Sequence, residues 1–178
     1  MVENIECPQN LSTQEQDEFW IEYAQKIAGK AESIGEVPVG AVIVLNNRLI
    51  AEGWNQSISE NDPTAHAEIM ALKEAGKVLK NYRLTDTTLY VSLEPCPMCA
   101  GAMVHARVKR VVFGAYDEKT GAAGSIFNLV DNSLLNHKLL ISGGVRKEHC
   151  AAQISGFFQK RRAAHKWKKQ QDKLNLIK

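Results

Sequence analysis

"TTLYVSLEPCPMCAGAMVHARVKRVVFGA", residues 87–115, decides the architecture, because its hydrophobic pattern changes period twice. "TTLYVSL" (87–93) is rich in β-branched and aromatic residues and reads as a strand. "CPMCAGAMVHA" (96–106) follows as a short helix, and "VKRVVFGA" (108–115) as a second strand. Strand, helix and strand joined this closely form the unit of a layered α/β domain, in which helices cover a sheet.

Upstream, Ile69, Leu72, Ala75 and Leu79 recur at helical spacing, so a helix is expected over Ala65 to Leu79. Before it, "PVGAVIVLNNRLIAEGWN" (38–55) carries two β-branched runs around Asn46-Asn47, the chemistry of a tight antiparallel hairpin. Ala41 to Leu45 is apolar throughout, which predicts a strand covered on both faces. "STQEQDEFWIEYAQKIAGKA" (12–31) opens with Ser12 or Thr13 as a cap and Glu15 at capping-box distance from Ser12. Phe19, Trp20, Tyr23, Ala24, Ile27 and Ala28 then mark one face of a first helix ending near Gly35.

Downstream, Gly121 and Gly124 open a polar loop, "KLLIS" (138–142) reads as an edge strand, and Lys147 to Lys169 as a long final helix. Cys150, Ile154, Phe157, Phe158 and Arg161 fall on one side of it. The expectation is a three-layer α/β/α fold on a five-stranded mixed sheet, mostly parallel beyond the opening hairpin. A chain of 178 residues, 44% hydrophobic, supports one core. The expected organisation is a flexible leader 1–11, a single domain 12–170 and a basic tail 171–178.

Four cysteines, Cys7, Cys96, Cys99 and Cys150, are too few and too unevenly spaced for a disulfide scaffold. No stretch approaches the roughly 20 apolar residues that cross a bilayer. The expectation is a cytoplasmic protein with no membrane partner. The net charge of +2 conceals a division: Lys160 to Lys178 hold eight Lys or Arg against one Asp, while the preceding 159 residues hold fourteen basic and nineteen acidic ones. A positive end on a negative body fits contact with a polyanion.

The chemistry lies in "PTAHAEIMAL" (63–72) and "EPCPMC" (94–99). Alone, His66 reads as an ordinary core or surface histidine. Cys96 and Cys99 alone read as half of a structural Cys₄ site or as a redox dithiol, yet neither Cys7 nor Cys150 belongs to a second C-x-x-C pair. Taken together, one imidazole and two thiolates suit Zn²⁺ and leave its fourth tetrahedral position open. A helix start directs both sulfurs inward and favours thiolate. His66 would reach them by a crossover between neighbouring parallel strands. Glu68, in the same turn as His66, would carry protons without being a ligand. H-x-E followed by P-C-x-x-C is the signature of zinc-dependent deaminases.

"EVPVGAV" (36–42), "AEGWN" (51–55), "DPTAHAEIMAL" (62–72), "NYRL" (81–84), "LYVSLEPCPMCAGAM" (89–103) and "DEKTGAAGS" (117–125) extend the match over nearly all of Trp20 to Phe158. On these segments the chain resembles the bacterial tRNA-specific adenosine deaminases, within the cytidine and deoxycytidylate deaminase superfamily. That resemblance implies the cytidine-deaminase-like fold, one zinc per subunit on His66, Cys96 and Cys99, and catalysis by Glu68. The implied reaction is hydrolysis of adenosine to inosine at the wobble position of an arginine tRNA anticodon, with ammonia released. By the same resemblance Asn55, Val37 and Ala67 would meet the target nucleotide, and Asp117, Lys119, Asn136 and Phe158 the surrounding RNA. Arg161 and Arg162 are candidate phosphate contacts, and a homodimer is expected.

Two other functions follow from the same residues. A deaminase of a free base, nucleoside or nucleotide (guanine, cytosine or deoxycytidylate) would use the same metal chemistry. A non-catalytic zinc or RNA-binding protein would not need Glu68.

Overall fold

The computed structural model describes residues 5–175. In chain order the elements are α1 (Thr13–Ser33), β1 (Gly40–Leu45), β2 (Arg48–Trp54), α2 (Ala67–Leu79), β3 (Thr88–Leu93), α3 (Pro97–Ala106), β4 (Arg110–Ala115), β5 (Leu140–Gly143) and α4 (Lys147–Asn175). The strands form one sheet in the order β2-β1-β3-β4-β5. Helices α2 and α3 cover one face, α1 and α4 the other.

Local chemistry accounts for most boundaries. Ser12 and Glu15 close the expected capping box at the start of α1, and Gly35, at φ +80°, ends it. Asn46 and Asn47 take φ values of 50° and 62° in the two-residue loop between Leu45 and Arg48. Both thus lie in the left-handed region required by the favoured hairpin turn. Helix α2 starts at Ala67, two residues later than its periodicity suggested, because His66 is extended at φ −78°, ψ 154° and stands as the N-cap.

The apolar run of β1 is buried on both sides, as expected. Val39, Ala41 and Ile43 face α2 and α3 together with Leu89, Val91, Val111 and Phe113. Val42 and Val44 face the other way, against Trp20, Ile21, Ile27 and Tyr90. Two glycines let helices lie against the sheet. A Cβ on Gly40 would come within 2.2 Å of the Ala24 carbonyl of α1, and one on Gly53 within 2.4 Å of Ala67 in α2. The second approach holds the start of α2, with His66 and Glu68, against the end of β2.

The sheet departs from the expected topology at its centre. β1 pairs antiparallel with both β2 and β3, and only β3-β4 and β4-β5 are parallel. β2 and β3 run the same way with β1 between them, so α2 crosses over an intervening strand instead of linking neighbours. The leader is also anchored in part. Ile5 accepts a hydrogen bond from Leu49, Glu6 pairs with Arg48, and the Cys7 side chain is buried beside the hairpin turn. Burial raises the Cys7 thiol pKa. Residues 1–4 lie outside the described residues. At the other end α4 continues unbroken through residue 170 to Asn175, and residues 176–178 of the expected tail lie outside the described residues.

Candidate active site

The starts of α2 and α3 meet at the ends of β2 and β3. His66 is the N-cap of α2 and Cys96 the N-cap of α3, with Pro97 at the first helical position and Cys99 one turn in. Pro97 is suited to that position, since its ring presets φ and the missing N–H would have no intrahelical partner. His66 Nδ1 lies 3.7 Å from Cys96 Sγ and 3.6 Å from Cys99 Sγ. All three ligand atoms fall within 4.8 Å of one another.

These distances test the fit of a metal. Tetrahedral zinc with Zn–S of about 2.3 Å and Zn–N of about 2.0 Å separates its nitrogen and sulfur ligands by roughly 3.5 Å. The donor set and the spacing both match. The sulfurs are electronically inequivalent. Cys99 donates to Cys96, which lowers the Cys96 pKa to about 4 and raises that of Cys99. His66 is raised, mainly by its contact with Cys96.

Glu68 lies two residues into α2, 4% exposed. Burial pushes its carboxyl up to about 7, with the Cys96 charge adding to the rise and His66 opposing it. A carboxyl poised near neutrality beside a metal-ligand cluster has the properties of a proton carrier. A cavity of about 220 Å³ opens over the cluster. Val37, Asn55, Glu68, Cys96, Asp117 and Thr120 are among the residues that line it.

Several sequence-derived residues have more specific positions than expected. Asn55 Oδ1 accepts from the Ala67 backbone N–H at 2.9 Å. Asn55 thus caps α2 in place of His66, whose side chain makes no capping hydrogen bond. The Ala67 N–H is used in that bond, and Ala67 is buried behind the cavity instead of lining it. Asp117 borders the cavity while its carboxylate accepts from the Lys119 and Thr120 N–H groups and the Thr120 hydroxyl. These bonds hold its pKa below the usual carboxylate value despite desolvation, which acts against them. Lys119 is exposed.

The remaining candidates lie apart from the cavity lining. Asn136 is exposed and accepts from Arg107 at the end of α3, and His137 sits 2.7 Å from the Val108 carbonyl. On α4, Phe157 is buried and Phe158 half exposed. Phe158, Arg161 and Arg162 line a separate groove with His165, Lys166 and Lys169.

Two buried carboxylates next to the site, Glu36 and Glu94, escaped sequence reasoning. Glu36 accepts from the Ile58 and Ser59 N–H groups at 2.8 and 2.7 Å, tying down the loop that leads to His66. Glu94 does the same for the loop after β4. The one signal for Glu94 was its place immediately before P-C-P-M-C.

The model of the cytidine and deoxycytidylate deaminase zinc-binding region matches residues 14–115. The chain is 55% identical over 154 residues to the tRNA-specific adenosine deaminase of Haemophilus influenzae, an overlap of 86% of this chain and 89% of that one. A solved structure from work on A-to-I editing by tRNA:A34 deaminases superposes with a TM-score of 0.73 at 38% identity, covering 76% of this chain and 98% of its own. The guanine deaminase of Bacillus subtilis gives a TM-score of 0.55 at 45% identity over 62% of this chain and 69% of its own.

Proposed function

The chain belongs to the zinc-binding cytidine and deoxycytidylate deaminase family, and from that membership we propose that it converts adenosine to inosine at the wobble position of tRNA. We further propose the arginine tRNA anticodon as the substrate. The observation that carries the reading is three metal-ligand atoms converging beneath a cavity with a buried carboxylate, Glu68, that is not one of them. A structural zinc site has no need of such a group.

His66, Cys96 and Cys99 would hold the zinc, one per subunit. When bound, zinc supplies Lewis acidity that makes water a nucleophile near neutral pH. Glu68 takes one proton from the water as it attacks C6 and delivers it to purine N1, then takes the remaining hydroxyl proton as the C6 carbonyl forms and delivers it to the departing amino group. Addition of water and loss of ammonia balance to inosine. Val37 packs against the base. Asn55, with its oxygen engaged by Ala67, keeps its amide NH₂ to donate to the nucleotide. A single-stranded anticodon loop lets the base turn outward at limited unstacking cost.

Outside the cavity, Asp117, Lys119, Asn136 and Phe158 would border the RNA, and Arg161 and Arg162 would meet phosphates. We propose that the enzyme acts as a homodimer. The groove between α2 and α3, lined by Ile69, Leu72, Tyr82, Ala102 and Ala106, offers an apolar face for a second copy. A monomer by sedimentation during turnover would exclude that arrangement. No described helix is long and apolar enough to cross a membrane, and all four cysteines are free, which fits work in a reducing cytoplasm.

The test is incubation of zinc-loaded protein with arginine tRNA carrying adenosine at the wobble position. Inosine at that position is expected; no inosine would refute the reading. The similarity to guanine deaminase favours one competitor, deamination of a free base or nucleotide. Turnover of guanine, cytosine or deoxycytidylate with tRNA left unreacted would select it.

A further inference from the structure

Glu94 separates the end of β3 from Pro95 and Cys96, and its side chain is 2% exposed. Its backbone N–H bonds the Ala115 carbonyl at 2.8 Å, and the Ala122 N–H bonds the Pro95 carbonyl at 2.8 Å. The loop after β4 therefore folds back over the segment that bears the metal ligands. The Glu94 carboxylate is the centre of that fold. Oε1 accepts from the Ala123 and Ser125 N–H groups at 3.1 and 3.0 Å. Oε2 accepts from the Asp117 N–H at 3.0 Å and from the Ser125 hydroxyl. Gly121 lies directly over the carboxylate, where a Cβ would come within 2.5 Å of both Glu94 Oε2 and the Asp117 carbonyl.

Every group facing Glu94 in these contacts is a donor, and two of the residues so held in place, Asp117 directly and Thr120 through Asp117, line the cavity. We infer that Glu94 is a positioning residue, which sets the far wall of the substrate cavity by pinning residues 117–125 to the metal-ligand segment. The inference rests on the proposed reaction for its kinetic consequence but not for its structural one. Glu94 itself borders the cavity, but both of its carboxylate oxygens are taken up by donors of the loop, which assigns it to holding the wall. It governs how well the substrate is gripped.

Glu94→Gln breaks this arrangement selectively. An amide nitrogen in place of Oε2 meets two former donors. The Ser125 hydroxyl can rotate to accept from it, whereas the Asp117 N–H cannot. Zinc content should stay at one per subunit. Hydrogen exchange should speed up at the Asp117 amide by about tenfold or more, with Ala123 and Ser125 remaining protected. On an anticodon stem-loop, KM should rise about tenfold while kcat stays within about twofold. Gly121→Ala, which displaces the loop from the opposite side and leaves the carboxylate intact, should reproduce the rise in KM.

Unchanged exchange at Asp117 overturns the pinning, and a fall in kcat with KM unchanged overturns the positioning role. Loss of zinc in Glu94→Gln would make Glu94 a support of the metal instead, and would also overturn it. If the wild-type enzyme leaves the RNA unreacted, the proposed reaction fails, while exchange at Asp117 still decides whether Glu94 holds the wall.

Discussion

The junctions at His66 and Cys96 and the outer half of α4 are both rich in ionisable side chains, but they handle charge in opposite ways. At the junctions Glu68 and Cys99 are buried, each polar group meets a specific partner, and distances are held to those a metal requires. From Phe158 to Asp172 every residue of α4 is exposed, and among the described residues the last tie to the body is the ion pair of Lys160 with Glu32 at 2.9 Å. Reaction chemistry depends on position and low dielectric, so it concentrates in a few groups that cannot be exchanged. Phosphate attraction depends on charge number, so it can be distributed over a solvated helix.

The sharpest way to break the comparison is at the metal. Cys99→Ala removes a ligand whose side chain is fully buried, and no neighbour can replace it. Zinc content by elemental analysis should fall to near zero and turnover should vanish. Glu68→Gln should separate chemistry from metal, retaining zinc while activity drops about 10²- to 10⁴-fold, the usual weight of a general acid–base group. Activity near the wild-type level in Glu68→Gln would remove the proton-carrier role.

A smaller effect concerns pH in zinc-free protein. The Glu68 carboxyl sits at about 7 when folded, against 4.5 for its ordinary value, because burial disfavours the charged form. The folded state then holds a proton that the unfolded state releases, so this group reduces stability as pH rises from about 4.5 through 7. Glu68→Gln removes that penalty. Denaturant unfolding should find the variant gaining on the wild type across this window, by a plateau of the order of 3 kcal/mol above pH 7. A difference independent of pH would mean that the buried carboxyl is not the group titrating.

How legible these regions were follows from how local their causes are. The Asn46-Asn47 turn, the Ser12–Glu15 capping box and the two-sided burial of β1 are written in neighbouring residues, and they appear as read. The metal cluster was legible because H-A-E and P-C-P-M-C are each short and chemically distinctive. The antiparallel pairing of β1 with β3 was not, since an apolar strand carries no mark of its direction and the path of α2 over β1 sets it. Glu36 and Glu94 were hidden for a related reason: a lone acidic residue says nothing of the backbone N–H groups that a distant loop will bring to it. Asn55 is assigned to the substrate by family resemblance alone, whereas its bond to Ala67 depends on the approach of α2 to Gly53.

The smallest expected effects belong to α4, and they sharpen the contrast most directly. Arg161 stands 5.9 Å from the centre of the Phe157 ring, and the Arg161 and Arg162 side chains line the same groove as Phe158. Neither has the buried, fixed partners that surround Glu68, so each replacement by Ala should weaken tRNA binding only about two- to fivefold. The double variant should lower the slope of log affinity against log salt by roughly 1.4, if both arginines meet phosphates of a single-stranded region. Its kcat at saturating tRNA should not change. A slope identical to wild type would take these arginines off the RNA path. A fall in kcat would mean that the helix shapes the catalytic cavity, and the division between positioned chemistry and distributed charge would then not hold for this enzyme.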